Sequence, residues 1–249
     1  MINVDVADGV ATLTLNDPDR RNALTAPLVA AIVKAFDEFE EGDDVRAVVI
    51  TGAPPAFCAG ADLSDLGSSK ETGLRSIYEG FLRVARSPLP TIAAVNGAAV
   101  GAGMNLALCC DVRLAGRSAK FDTRFLQLGL HPGGGHTWML QRIMGPQQAA
   151  AMVLFGRVLR GEEAERHGLV YACVDDADLL PVANDMARSA ADGPPELTRR
   201  IKQTLDLVAN VGYHNEAVDV EIAAQLWSLE QPFFAERLAA MKAKITKKQ

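Results

Sequence analysis

The chain has 249 residues, 49% hydrophobic and 22% charged, with a net charge of −6 and a pI near 5.3. That suits an α/β domain with appendages and a sizeable core. The acidic balance argues against nucleic acid or an anionic membrane as main partner, while local basic residues can still hold a phosphate-bearing ligand. Cys58, Cys109, Cys110 and Cys173 show no CxxC spacing and no nearby paired histidines, which argues against a metal site. Their apolar surroundings read as buried, reduced thiols. The N-terminus is strand-like with no signal region, and no run of about 18 apolar residues occurs. The expected location is the cytoplasm.

In chain order, Ile2 to Val6 and Val10 to Leu15 alternate around Ala7-Asp8-Gly9 and predict a β-hairpin. A turn at Asn16 to Asp19 leads through Arg20 to Thr25 into a helix whose apolar positions are Leu28, Ile32, Ala35, Phe36 and Phe39. A buried strand follows at Ala47 to Ile50, so strand–helix–strand order favours a largely parallel sheet. The polar stretch 64–73 reads as a loop, and a helix spans about Leu74 to Ser87. Thr91 to Val95 is a buried strand, followed by a turn at Asn96-Gly97, a small-residue run and an apolar helix from about Gly101 to Cys110. A strand near Val112 to Ala115 comes next. Helices are expected over about 135–144, 147–155 and 161–167, then a short strand at Tyr171 to Val174. From Asp178 the spacing is helical: 183–191, 196–207, 216–229 and 232–244.

Two stretches have nearly bare backbone after a buried strand. One is Gly97 to Gly103; the other is Cys58-Ala59-Gly60-Ala61-Asp62. The first N–H groups of a helix lack internal partners, and small residues let a ligand reach them. Two such donors converging on one oxygen, from Ala61 and Ala102, would stabilise an oxyanion. Tight helix–strand packing explains the same glycines. Cys58 lies beside this region, but no base is adjacent in the motif, so a structural role is favoured over a nucleophile.

The ordered motifs FCAGADL, AAVNGAAVGAGMNLALCCDVRLA and LGLHPGGGHTWMLQRIMG carry a resemblance to the enoyl-CoA hydratase/isomerase (crotonase) family. RRNALT at Arg20 to Thr25 and GRVLRGEEAERHGLV at 156–170 fit the same pattern, so the resemblance runs over nearly the whole chain. It implies an α/β fold with a crotonase-like ββα spiral core over 1–190. It also implies a helical C-terminal region over 191–249 that makes trimer contacts, in a homotrimer or a dimer of trimers. The implied ligand is an acyl-CoA thioester whose oxygen is held by the backbone N–H groups of Ala61 and Ala102. Coenzyme A is then part of the substrate, and no separate cofactor is expected. The family pattern places the CoA moiety near Ala23, Leu24 and the loop of Ala59, Gly60, Asp62 and Leu63, with Arg21 as a phosphate contact. At the C-terminus Met241 replaces an aromatic residue and Lys244 keeps the basic position of a segment that, by the resemblance, can reach the adenine pocket of a neighbouring subunit and bind the substrate there.

The chain departs from the family at the two positions where hydratases carry glutamates. These are Asn105 and Phe125. An amide cannot take a proton from water at neutral pH, and a phenyl ring can neither accept nor deliver one. Other titratable groups lie nearby: Asp65, Asp122, Arg124, His131 and His136. His136 opens a helix, whose dipole would lower its pKa. Three readings stay open. The first is an enoyl-CoA hydratase or isomerase. The second is another acyl-CoA reaction, such as isomerisation, decarboxylation or thioester hydrolysis through His131, His136 or Asp122. The third is an acyl-CoA binder without catalysis.

Overall fold

A computed structural model of the protein describes residues 1–62 and 71–246. Leu63, Asp65 and the rest of 63–70 lie outside the described residues, whereas Glu71 to Gly73, expected as loop, open a helix. The chain divides into two compact units, Met1–Ala191 and Asp192–Gln249.

In the first unit β1 (Ile2–Ala7) and β2 (Val10–Leu15) form the expected hairpin. The remaining strands of this sheet are β3 (Ala47–Gly52), β5 (Thr91–Val95), β7 (Val112–Gly116) and β10 (Ala172–Val174). The order is β1-β2-β3-β5-β7-β10, parallel everywhere except in the hairpin. A second sheet holds β4 (Ala56–Cys58), β6 (Ala98–Val100), β8 (Lys120–Asp122) and β9 (Leu159–Arg160) in the order β4-β6-β8-β9. Ala98 to Val100, read above as part of a turn and small-residue run, is therefore a strand. Three residues are too few for an alternation signal, and pairing supplies what local propensity does not: Ala98 faces Ala56 on one side and Lys120 on the other.

β3, β5 and β7 are each followed within a few residues by a strand of the small sheet, and then by helix. These helices are α1 (Ala26–Glu41, before β3), α2 (Glu71–Ala85), α3 (Ala102–Leu108), α4 (His136–Met144), α5 (Pro146–Val153) and α6 (Gly161–Arg166). The repeating strand–strand–helix coil is the spiral expected above. α1 starts where the sequence says it should: the Thr25 hydroxyl accepts from the Leu28 N–H at 3.3 Å, and Leu28, Ile32, Ala35, Phe36 and Phe39 are buried.

The large sheet is covered on both faces, which explains its continuous apolar strands. Val48 and Ile50 of β3 join the core containing Phe36, Phe57 and Phe81. Ala47 and Val49, pointing the other way, meet α7 (Leu179–Ala191) through Leu179, Ala183, Ala187 and Ala191. The second unit consists of α8 (Pro195–Val208), α9 (His214–Leu229) and α10 (Pro232–Thr246). Within it the Arg200 guanidinium stacks 3.9 Å from the Trp227 ring, and Trp227 packs on Phe233. Among the described residues no helix is long and apolar enough to cross a membrane.

Candidate active site

The site is built on the strand ends of the small sheet. Gly60 follows β4 with φ 106, a conformation that favours glycine. A Cβ placed on it would lie 3.0 Å from the Val100 carbonyl oxygen and 4.0 Å from the Ala102 nitrogen. The loops after β4 and β6 therefore abut, which brings Ala61 and Ala102 to one wall. Gly103 is required for a related reason: a side chain there would overlap the Cys58 carbonyl. The bare backbone thus serves tight packing and an accessible wall at once.

Arg21, Ala23 and Leu24 brace this wall. The Arg21 carbonyl accepts from the Ala59 N–H at 3.0 Å, the Leu24 N–H donates to Gly60 at 2.7 Å, and Leu24 forms an isolated parallel bridge with Ala61. Arg21 itself is exposed in the left-handed region. Its neighbour Asn22, which the sequence reading passed over, is wholly buried and also left-handed. Its side chain accepts from the Asp17 N–H at 2.9 Å and donates to the carbonyls of Ala53 and Ala56, both at 2.8 Å. Asn tolerates a positive φ better than most residues, the one local hint of this role. Asp62 pairs with Arg20 at 3.8 Å. Leu63 lies outside the described residues, and Lys244 and Met241 are exposed on α10 of the second unit.

A cavity of about 440 Å³ opens against this wall. Its lining comprises Ala59 to Ala61, Val100 to Ala102, Leu74, Ile77 and Tyr78 of α2, Thr123 to Phe125, Leu128, and Leu130 to Gly133. Most of that surface is apolar. Of the side chains considered for proton transfer, only His131 belongs to it. Its Nδ1 lies 2.7 Å from the Pro132 carbonyl, which can only accept, so Nδ1 carries a hydrogen.

Asp122 and His136 stand elsewhere. Asp122 is buried and engaged by Arg124: Oδ1 accepts from the Arg124 N–H at 2.9 Å and Oδ2 from its guanidinium Nε at 2.9 Å. His136 is also buried, edge-on to the Phe125 ring at 4.9 Å. Asn105 explains its orientation. The Asn105 Nδ2 donates to the Gly133 carbonyl at 3.0 Å, so its Oδ1 accepts from His136 Nδ1 at 2.6 Å. That leaves His136 Nε2 deprotonated and without a partner among the described residues. Burial pulls the imidazole pKa down to about 4; the sequence reading had credited the helix end with that effect. The glutamate position at 105 thus holds a structural amide, and the one at 125 forms an apolar wall. Burial likewise pushes the Cys58 thiol up to about 12, which removes it as a nucleophile at neutral pH.

Comparison with known proteins agrees with this architecture. The sequence model of the family Enoyl-CoA hydratase/isomerase matches residues 5–231. The chain belongs to the enoyl-CoA hydratase/isomerase family. It is 50% identical over 240 residues to a probable enoyl-CoA hydratase, EchA14, of Mycobacterium tuberculosis (strain ATCC 25618 / H37Rv), covering 93% of each chain. It is 39% identical over 209 residues to the 1,2-epoxyphenylacetyl-CoA isomerase of Escherichia coli (strain K12), covering 81% of this chain and 80% of that one. Among solved structures, an enoyl-CoA hydratase from Bacillus anthracis superposes with a TM-score of 0.91 at 31% identity, covering 98% of this chain and 96% of the other. Family membership supports an enzyme acting on acyl-CoA, and the relatives include hydratases, an isomerase and a 4-chlorobenzoyl coenzyme A dehalogenase.

The cavity also contains a residue that the sequence reading missed. Tyr78 sits on α2 between Ile77 and Phe81, and its ring packs 5.5 Å from Phe81. Helical spacing alone marks it as core; its hydroxyl in the cavity wall is a tertiary fact.

Proposed function

We propose that the protein binds an acyl-CoA thioester and stabilises its enolate with the backbone N–H groups of Ala61 and Ala102, catalysing proton transfer next to the carbonyl. The reading is supported by the abutment of the loops after β4 and β6, with Ala61 and Ala102 both among the residues that line one largely apolar cavity. His131, the one proton-transfer candidate in the cavity lining, is the base that takes the α-proton and returns it to the γ-carbon of the dienolate. The reaction class is that of an enoyl-CoA isomerase, not a hydratase. Asn105 is committed to Gly133 and His136, and Phe125 makes its side of the cavity apolar, so no carboxylate activates water at either position.

Ala102→Pro tests the reading. Proline removes the N–H, and the first helical position after a glycine accommodates its ring. Double-bond migration in 3-hexenoyl-CoA, read as the rise of conjugated thioester absorbance, should fall by about 100- to 1000-fold, with CoA affinity nearly retained. Unchanged turnover in a folded variant would exclude Ala102 as a donor. A second reading, an acyl-CoA binder without catalysis, is favoured by the same Asn105 and Phe125. Tight binding of the thioester together with no exchange of its α-protons for deuterium by the wild-type protein would select it.

A further inference from the structure

The cavity wall carries four polar side chains: Tyr78, Thr123, Arg124 and His131. Three have partners. The Thr123 hydroxyl donates to the Met152 carbonyl at 3.1 Å, Arg124 holds Asp122, and His131 Nδ1 is tied to Pro132. Only the Tyr78 hydroxyl has no hydrogen-bond partner among the described residues. The space it occupies is the one a side chain at position 133 would fill, since a Cβ built on Gly133 would overlap Tyr78 Oη. Gly133 is fixed in turn, because its carbonyl accepts from Asn105. A phenol group is thus set in a largely apolar wall, in a slot kept open by a glycine, with no acceptor for its O–H among the described residues.

A ligand that displaces water from this cavity and offers an acceptor beside the O–H keeps that hydrogen bond, whereas a ligand without one leaves the donor unpaired. We infer that Tyr78 is a specificity-determining residue whose hydroxyl donates a hydrogen bond to an oxygen on the acyl group, so that the preferred substrates are acyl-CoA thioesters bearing a hydroxyl, carbonyl or ether-type oxygen beyond the α-carbon. The inference rests on the acyl-CoA reading above and adds the chemistry of the acyl group to it. No bond is made or broken by Tyr78; it recognises an acceptor and keeps its proton. A site built around such a donor discriminates against the analogue that lacks the oxygen far more sharply than an apolar pocket discriminates one methylene.

The test is calorimetric titration of wild-type protein, Tyr78→Phe and Gly133→Ala with butyryl-CoA, 3-hydroxybutyryl-CoA and 3-oxobutyryl-CoA. Wild-type protein should bind at least one oxygenated thioester about tenfold or more tightly than butyryl-CoA, as a hydrogen bond of roughly 1.4 kcal/mol predicts. Tyr78→Phe removes only the oxygen and should bind all three alike, with affinity for butyryl-CoA unchanged or improved. Gly133→Ala keeps the phenol but displaces it, and should lower the preference without deleting the group. Equal wild-type affinities for all three, or a preference that survives in Tyr78→Phe, overturns the assignment while leaving the acyl-CoA reading intact. Failure of every thioester to bind removes both.

Discussion

Single residues here are set by partners far away in sequence. Asn22 donates to two carbonyls more than thirty residues on and occupies a left-handed backbone position. Asn22→Ala should destabilise the fold by about 2–4 kcal/mol, as expected when several buried carbonyls lose a shared donor; the urea midpoint measures it. His136 gives a pH signature. Its pKa falls from 6.5 to about 4 on folding, so the unfolded chain binds a proton in that window and the folded one does not. Stability is complete above about pH 6.5 and declines as the pH falls toward 4, by roughly 3 kcal/mol in all. His136→Gln should lose this part of the pH slope, measured as urea midpoints at pH 7.5 and 5. Cys58 and Cys109, both pushed up to about 12 by burial, should resist iodoacetamide in the native protein and react only after denaturation, mapped by mass spectrometry.

Elements were legible where periodicity was long. The hairpin and α1 follow from alternation and from a Thr25 cap with buried positions at helical spacing. The strands β3, β5 and β7 follow from the short, largely apolar stretches Ala47 to Ile50, Thr91 to Val95 and Val112 to Ala115. The small sheet was not legible, because its strands of two or three residues exist only through each other. The site divides along the same line. Bare backbone at Ala61 and Ala102 is visible in sequence, since glycine and alanine say directly that the chain can be approached. The Asn105–His136 bond, 31 residues apart, and the Tyr78 hydroxyl over Gly133 are products of packing, and no local pattern announces them. At this scale Gly103→Ala is the informative change. Its methyl would meet the Cys58 carbonyl and prise α3 from β4, costing about 1–3 kcal/mol. Thermal unfolding should show the loss, and turnover should fall with it because Ala102 moves.

At the scale of the whole molecule, the helices of the second unit carry more apolar surface than they cover. Ile222, Leu226 and Leu229 of α9 are each about half exposed, and Leu238 and Met241 of α10 remain open as well. Phe233 is half-buried against Trp227. Such a surface on a 26.6 kDa chain calls for a partner, and closed symmetry among copies is the economical solution. Light scattering should give a mass three or six times that of the chain, and Leu226→Asp with Ile222→Asp should lower it. A stable wild-type monomer at micromolar concentration would exclude this arrangement.

The spiral has a further consequence for how such a site changes over time. The two proposed oxyanion donors belong to consecutive coils and are offered by the main chain, so any small residue except proline at 61 or 102 preserves them. Side chains at 78, 105, 125 and 131 are not part of that main-chain pair and can change while it stays. Under the proposed function, grip on the thioester and choice of reaction are therefore separable: side-chain changes can exchange one chemistry for another without loss of the hold on the substrate.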